Sequence, residues 1–292
     1  MEKQLKPYKL LICDLDNTLY DWVAYFVPSF YAMVDKVVEL LGCDRQILLN
    51  DFREVHQHYH DTEYPFALLE TSTVINYFKV SNRKEIAKAL DPAFQVFNSA
   101  RKKHLRLYPG VESTLEYICQ RDIKLVAYTD SQFFGAIDRL MRLNLIALFS
   151  KVYCRKRSQQ EHPNPEAGLQ WLNKVPMHKV YELSEDKVKP DPRVLIDICN
   201  AEKVMPTEVA YIGDSMGHDI LMAKKAGVIS IWAKYGALLD TSDYKRLIKI
   251  THWTKEDVEE ERRLKKEAEH LQPDFVAEDS FVEILTTLFP ND

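Results

Sequence analysis

The chain has 292 residues, of which 46% are hydrophobic and 11% aromatic, and this is ample for a packed core in one large domain or two modest ones. Its 39 Lys and Arg residues against 44 Asp and Glu residues give a net charge of −5. That balance argues against a nucleic-acid-binding protein, which usually carries a basic excess.

The cysteines and the N-terminus both indicate a cytoplasmic protein without a membrane segment. The N-terminal stretch MEKQLKPYKLLICDLD has no long apolar run before its acids, so we expect neither a signal peptide nor an anchor. No segment reaches transmembrane length. The dispersed cysteines form no CxxC pair and predict reduced thiols rather than disulfides: Cys13, Cys43, Cys119, Cys154 and Cys199.

The first informative stretch is LLICDLDNTLY, residues 10–20. Its apolar run predicts a strand buried on both faces of a parallel sheet, and ligands collect at the carboxyl ends of such strands. Asp14 and Asp16 follow immediately and would repel each other. A divalent cation would relieve that repulsion, and a turn at Asp16 would let one acid attack while the other carries a proton. An Asp-Asn turn without chemistry is the alternative for this stretch alone.

Residues 21–105 show helical patterning and little that resembles a strand. A first helix is expected to stop at Gly42, and further helices are predicted over 44–60, 64–78, 82–90 and 92–104. The sequence HQHYH within this segment could suggest zinc, but only His56 and His60 share a helical face, so we favour a solvated surface. For Trp22 and Tyr25 we favour packing between helices over contact with a substrate.

Strands and helices alternate again after Pro109, which predicts an α/β fold with a doubly wound parallel sheet. Residues 155–187 are less regular, and the charged segment 255–270 predicts a helix with a solvated face. The other predicted elements are strands over 123–128, 149–153, 209–212, 228–232 and 275–277, and helices over 111–120, 134–143, 193–201, 219–226 and 280–288.

Polar residues follow three of the predicted strands. Asp14 and Asp16 follow the first, Thr129 the second and Asp214 a later one, while Lys189 lies in a loop before a Pro-Asp-Pro turn. Phosphoryl transfer needs such a set: a nucleophile, a metal, and donors that spread the charge of the transferred group.

These motifs resemble, in order, those of the haloacid dehalogenase superfamily of hydrolases. The four matching stretches are DLDNTLY, LVAYTDS, KVKPDP and YIGDSMGHDILMAKKAG. The resemblance covers about 1–20 and 106–232, plus the last strand. It implies a Rossmann-like core over 1–20 and 106–292, with irregular insertions about 155–187 and 236–272, and a helical cap domain over 21–105 that closes over the phosphate.

The resemblance also implies a role for each motif residue. Asp14 would attack phosphorus and form an aspartyl-phosphate, and Asp16 would protonate the leaving oxygen and then activate water. Mg²⁺ would be bound by Asp14, the Asp16 backbone carbonyl and Asp214, while Asp219 would ligate through water or hold Lys189. The phosphate would be bound by Asp14, Thr18, Thr129, Asp130 and Lys189, and Thr18 would also help to shape the loop around Asp16. Lys187 is the alternative to Lys189.

The dehalogenases of this superfamily normally lack an acid two residues after the nucleophile, so Asp16 favours a phosphatase. We therefore expect a Mg²⁺-dependent phosphatase acting on a small phosphorylated metabolite, with neither a nucleic acid nor a membrane as partner. No oligomeric state is predicted. A phosphomutase of the same superfamily and a non-catalytic phosphate-binding or regulatory protein are the alternatives. Asp130 departs from the pattern, because the family often has Asn there.

Overall fold

A computed structural model describes residues 8–79, 82–158, 161–237 and 241–289. Within these ranges a parallel sheet of seven strands has the order β4-β3-β2-β1-β5-β6-β7. The predicted doubly wound α/β fold is therefore confirmed. The N-terminal residues 1–7 lie outside the description. The strands are β1 (Leu10–Cys13), β2 (Lys124–Gln132), β3 (Lys151–Arg155), β4 (Val180–Leu183), β5 (Val209–Gly213), β6 (Ile229–Ala233) and β7 (Phe275–Ala277).

Strand β1 lies at the centre of the sheet and is fully buried. Leu11 and Cys13 pack into the apolar core on one face of the sheet, and Leu10 and Ile12 pack into the core on the other. Such a strand needs apolar side chains at every position, which explains the uninterrupted apolar run. Because β1 pairs with β2 on one side and β5 on the other, its carboxyl end lies where the strand order reverses, and ligands bind at such a point.

A helical insertion, residues 22–104, separates β1 from β2 in the chain. Its first helix begins after Asp21, whose side chain caps the backbone N–H of Ala24, and ends at Gly42, which has a left-handed φ of 62°. Of the predicted helices of this segment, four are confirmed with shifts of a few residues at their ends, whereas the one predicted over 64–78 is shortened to its second half, behind a 3₁₀ helix at Ala67–Glu70. The α-helices are α1 (Trp22–Leu41), α2 (Arg45–Tyr59), α3 (Ser72–Phe78), α4 (Arg83–Ala89) and α5 (Asp91–His104).

The remaining helices cover the two faces of the sheet and the C-terminal part of the chain. No helix among the described residues is both long and apolar enough to cross a bilayer. The bounds are α6 (Val111–Cys119), α7 (Phe133–Arg142), α8 (Pro165–Leu172), α9 (Pro192–Glu202), α10 (Leu221–Ala226), α11 (Ser242–Ile248), α12 (Lys255–Ala268) and α13 (Ile284–Leu288).

Two stretches expected to be irregular contain regular structure. Residues 155–187 include α8 and the edge strand β4, and residues 236–272 include α11 in addition to the predicted charged helix α12. Helix α8 begins after Asn164, whose side chain caps the backbone N–H of Ala167, with Pro165 at its first position. The expectation that these stretches are irregular is wrong. Helix α8 forms because a capping side chain starts it, although its sequence shows little apolar periodicity.

The segment around α11 packs against the helical insertion. His56 Nδ1 lies 2.6 Å from the backbone oxygen of Ile250, and Thr62 Oγ1 lies 2.8 Å from His252 Nδ1. The Tyr31 hydroxyl donates to the backbone oxygen of Arg246 at 3.0 Å. His56 is only 1% exposed, so its expected position on a solvated surface is wrong.

Burial lowers the pKa of His56 to about 4, and this gives a prediction about stability. A histidine whose pKa is lower in the folded than in the unfolded state costs stability as pH falls through its unfolded pKa of about 6.5. The wild type should lose stability between pH 7 and pH 5. We expect this loss to be about 2 kcal/mol smaller in His56→Gln, whose amide can still donate to Ile250. Denaturant unfolding at both pH values measures this difference.

The matched control is His58→Gln, since His58 is exposed on the same helix. It should lose stability on acidification as the wild type does. Equal pH dependence in the wild type and in His56→Gln would contradict the assignment of His56 as a buried neutral side chain.

Candidate active site

A buried ion pair lies just beyond the carboxyl end of β1. The Lys189 ammonium contacts one carboxylate oxygen of Asp14, and Thr18 Oγ1 donates to the other at 2.9 Å. Asp14 is 4% exposed and Lys189 is 9% exposed. The chain therefore brings together side chains 175 positions apart, and both oxygens of Asp14 have a fixed partner.

Two further carboxylates lie beside this pair. Asp14, Asp214 and Asp219 each offer an oxygen, and these oxygens lie within 4.8 Å of one another. Asp219 also pairs with the Lys189 ammonium at 2.8 Å and accepts from the Tyr211 hydroxyl at 2.6 Å. This is the only group of at least three ligating side chains within the described ranges that could hold a metal ion.

Glycine at the end of β5 makes this approach possible. A Cβ on Gly213 would lie 2.3 Å from the side chain of Asp219, which is far inside van der Waals contact. The chain then makes one π-helical turn over Met216–Ile220, which turns Asp219 back toward the end of β5. The Ser215 N–H donates to the Asp219 carboxylate at 2.9 Å and fixes that position.

The electrostatics of the cluster favour an additional cation. Burial, together with the neighbouring Asp219, raises the pKa of Asp14 to about 7 despite the opposing charge of Lys189. Burial and the carboxylates of Asp219 and Asp14 raise the pKa of Asp214 well above its usual range. Burial alone would lower the pKa of Lys189, but Asp14 and Asp219 outweigh it and raise that pKa well above its ordinary value. The cluster thus has three acids and one ammonium group, which pairs with Asp14 and Asp219.

The loop that carries Lys189 is held by Asp130. The carboxylate oxygens of Asp130 accept from the Lys189 backbone N–H at 3.1 and 3.3 Å. Lys187, the alternative lysine, is directed elsewhere and pairs with Asp197 at 2.6 Å near the surface. Lys189 is therefore the lysine of the site, and Asp130 contacts its backbone.

Asp16 has different partners from Asp14. Its carboxylate accepts from the Ser131 hydroxyl at 2.5 Å and pairs with the guanidinium of Arg139 at 3.1 Å. Thr129, on β2, accepts from the Ser131 N–H at 3.1 Å. The side chain of Asp16 does not belong to the three-carboxylate cluster. The two acids of the opening loop consequently occupy different environments.

The loop that follows these acids has a restricted shape. Asn17 adopts a left-handed φ of 59°, and its side chain accepts from the Trp22 N–H at 3.1 Å. Behind the loop, the Tyr235 hydroxyl donates to the Thr18 backbone oxygen at 2.7 Å. A Cβ on Gly236 would lie 1.7 Å from the Asn17 oxygen, so the chain approaches too closely for any other residue.

Sequence reasoning missed Ser131 and Arg139, which contact Asp16, and Glu63, which contacts Arg139. Ser131 lies next to Asp130 in the second motif, and this adjacency was the one available signal. Arg139 lies in a predicted helix among other charged residues, and Glu63 lies between two helices of the insertion. The sequence around Arg139 and around Glu63 does not distinguish either residue from a charged residue on a solvated surface.

Comparison with known proteins agrees with this geometry. The model of the haloacid dehalogenase-like hydrolase family matches residues 8–227, and a second family model, described as HAD-hydrolase-like, matches residues 188–280. A phosphoglycolate phosphatase of Vibrio vulnificus is 26% identical over 228 residues, which cover 78% of this chain and 84% of that protein. A glyceraldehyde 3-phosphate phosphatase of Methanopyrus kandleri is 24% identical over 153 residues, covering 52% of this chain and 54% of that protein.

Solved structures share the architecture. The 2-haloacid dehalogenase from Pseudomonas syringae pv. tomato superposes with a TM-score of 0.56 at 20% identity, covering 97% of this chain and 98% of the other. At this identity the likeness concerns the fold alone. The family match spans most of the chain, and the two relatives from Vibrio vulnificus and Methanopyrus kandleri are phosphatases. The chain therefore belongs to the haloacid dehalogenase-like hydrolase family and is a phosphoric monoester hydrolase.

Proposed function

We propose that this protein is a Mg²⁺-dependent phosphatase that hydrolyses a small phosphomonoester through an aspartyl-phosphate on Asp14. The observation that carries the proposal is the buried contact of Lys189 with Asp14 beside the carboxylates of Asp214 and Asp219. A nucleophilic carboxylate needs a nearby cation to remain ionised in a buried site, and a transferred phosphoryl group needs positive charge around it.

The donor set fits Mg²⁺. Hard divalent cations prefer carboxylate oxygens, and three clustered acids with one lysine leave negative charge uncompensated. We propose that Asp14 and Asp214 hold the ion, together with the Asp16 backbone carbonyl. Since Asp219 already pairs with Lys189, it acts mainly on the lysine. When bound, the ion would lower the charge on the phosphate and keep Asp14 ionised.

The proposed reaction has two displacements. An Asp14 oxygen attacks phosphorus, the bond to the leaving oxygen breaks, and Asp16 gives that oxygen its proton. Asp16 then removes a proton from water, which attacks phosphorus and breaks the bond to Asp14. Lys189 and the Thr129 hydroxyl stabilise the charge of the transferred group, and Thr18 orients Asp14. Asp130 orients the Lys189 backbone in this scheme, rather than binding phosphate directly.

We further propose that residues 21–105 form a cap on a core of residues 1–20 and 106–292. The support is the contact of Glu63, in the helical insertion, with Arg139, which in turn contacts Asp16. The buried acid and lysine have little access to solvent, so a substrate would enter when the insertion moves aside. Closure would then exclude water other than the hydrolytic one.

A substrate panel tests the function. The relatives suggest phosphoglycolate and glyceraldehyde 3-phosphate as first candidates among small phosphorylated metabolites. Orthophosphate release that requires Mg²⁺ and stops with a chelator would support the phosphatase. Isomerised product without orthophosphate would identify a phosphomutase, and no turnover with any phosphomonoester would favour a non-catalytic phosphate-binding protein.

We expect Asp14→Asn to reduce hydrolysis by at least about 10⁴-fold, because the amide is not a nucleophile. Initial rates of orthophosphate release measure the loss, and circular dichroism checks that the fold persists. The control is Asp35→Asn, since Asp35 is an exposed acid paired with Arg45. Activity of Asp14→Asn near that of the wild type would remove Asp14 from its proposed role.

Asp16→Asn should slow breakdown of the phosphoenzyme, because the amide cannot accept a proton from the attacking water. We expect a loss of about 10²–10⁴-fold in turnover of a phosphomonoester. With acetyl phosphate, whose acetate leaves without a proton so that only breakdown needs Asp16, we also expect a larger steady-state fraction of phosphoenzyme. Acid quenching followed by intact-protein mass spectrometry measures that fraction. If the variant holds no more phosphoenzyme than the wild type, the acid-base assignment is wrong.

Metal binding should depend on pH. With a pKa of about 7, Asp14 is mostly protonated at pH 6 and mostly ionised at pH 8, and only the ionised form binds a cation well. We expect Mg²⁺ to bind about tenfold more tightly at pH 8 than at pH 6, with proton release, as measured by titration calorimetry. Equal dissociation constants at the two pH values would contradict the proposed ligand set.

A further inference from the structure

A second buried cation, Arg139, lies on α7 outside the cluster around Lys189. It is only 1% exposed, yet each nitrogen of its guanidinium has a partner. Nε donates to the Tyr20 hydroxyl at 2.8 Å, and Nη2 donates to Ser131 Oγ at 2.7 Å. Nη2 also pairs with Asp16 at 3.1 Å, and Nη1 pairs with Glu63 at 2.5 Å. One guanidinium thus lies between two carboxylates.

The two carboxylates come from different parts of the fold. Asp16 follows β1, whereas Glu63 belongs to the helical insertion, and the Tyr25 hydroxyl donates to its second oxygen at 2.8 Å. Helix α7 has a glycine, Gly135, beside the contact of Arg139 with Glu63. A Cβ on Gly135 would lie 3.2 Å from Arg139 Nη1 and 3.3 Å from a Glu63 oxygen. The helix therefore leaves room for this contact at a position where alanine would be the better helix former.

A buried guanidinium is stable only while its charge is compensated. Burial disfavours the charge of Arg139, but Asp16 and Glu63 outweigh it and raise the pKa of Arg139 well above its ordinary value. If the helical insertion moves away, Glu63 leaves and water reaches the guanidinium. Its hold on Asp16 then weakens, because long side chains lose fixed geometry when solvated. The position of Glu63 thus affects the position of the Asp16 carboxylate.

We propose that Arg139 is a positioning residue that transmits closure of the helical insertion, through Glu63, to the carboxylate of Asp16. In the closed state Arg139 and Ser131 hold that carboxylate away from the Asp14, Asp214 and Asp219 oxygens and ready to act on water. This inference rests on the proposed function, because it assigns Asp16 to proton transfer.

Decay of the phosphoenzyme tests the proposal. Acetyl phosphate is the phosphoryl donor, since its acetate leaving group departs without a proton and formation of the phosphoenzyme bypasses Asp16. The decay rate constant, followed by acid quenching after a chase, does not depend on how much protein is folded. A purely structural role of Arg139 would change the folded fraction and leave this constant unmoved.

We expect Arg139→Lys and Glu63→Gln each to slow decay by about tenfold or more. The double variant should decay no more slowly than Arg139→Lys, because both substitutions interrupt the same chain of contacts from Glu63 through Arg139 to Asp16. The matched control is Arg142→Gln, one turn away on α7, where Arg142 is 40% exposed and pairs with Asp138. It should decay like the wild type. If Arg139→Lys fails to fold, Glu63→Gln decides alone, since it leaves Arg139 in place.

Two results would overturn the role of Arg139. One is a decay rate constant in Glu63→Gln equal to that of the wild type, and the other is a double variant in which the fold-effects of the two substitutions multiply. The failure of the proposed function is distinguishable from this result. A wild type that forms no phosphoenzyme and hydrolyses no phosphomonoester would overturn both proposals. A wild type that turns over while Glu63→Gln decays normally would overturn the Arg139 proposal only.

Discussion

The contact of the Lys189 ammonium with Asp14 and Asp219 is the interaction on which the rest of the site depends. It compensates the buried carboxylates of Asp14 and Asp219, whereas the half-buried Asp214 has no ion pair with a basic side chain in the part of the chain that the structure describes. Burying like charges is costly unless a counter-charge is present. The fold supports the arrangement with glycine at position 213 and with a loop carboxylate, Asp130, that fixes the lysine backbone. The resulting charge deficit is the physical reason to expect a divalent ion.

The two acids of the opening loop are separated by their surroundings rather than by their distance in sequence. Asp14 faces the lysine and the other acids, whereas Asp16 is held by Ser131 and Arg139. A proton carrier that bound the metal would lose its function, so this separation is a requirement of the proposed chemistry. The helical insertion takes part because Glu63 contacts the same arginine. Segment 241–254 also packs on the insertion, through the contacts of His56 and Thr62.

Much of the fold and of the motif set could be predicted because the information is local. The apolar runs ending in Asp14, Thr129 and Asp214 identify buried parallel strands and the edge where they end. The Arg139–Glu63 contact joins residues 76 positions apart, and no local pattern distinguishes either one from a surface residue. The edge strand β4 is only partly buried, so it lacks the apolar run that identifies the central strands. The burial of His56 likewise depends on residues almost 200 positions away.

The most direct test of the account is a crystal structure grown with Mn²⁺, which replaces Mg²⁺ at carboxylate sites and scatters anomalously. The account predicts an anomalous peak within coordination distance of the Asp14 and Asp214 carboxylates, with the Lys189 ammonium still paired with Asp14 and Asp219. No peak there at saturating metal, or a metal bound directly by the Asp16 carboxylate, would contradict it.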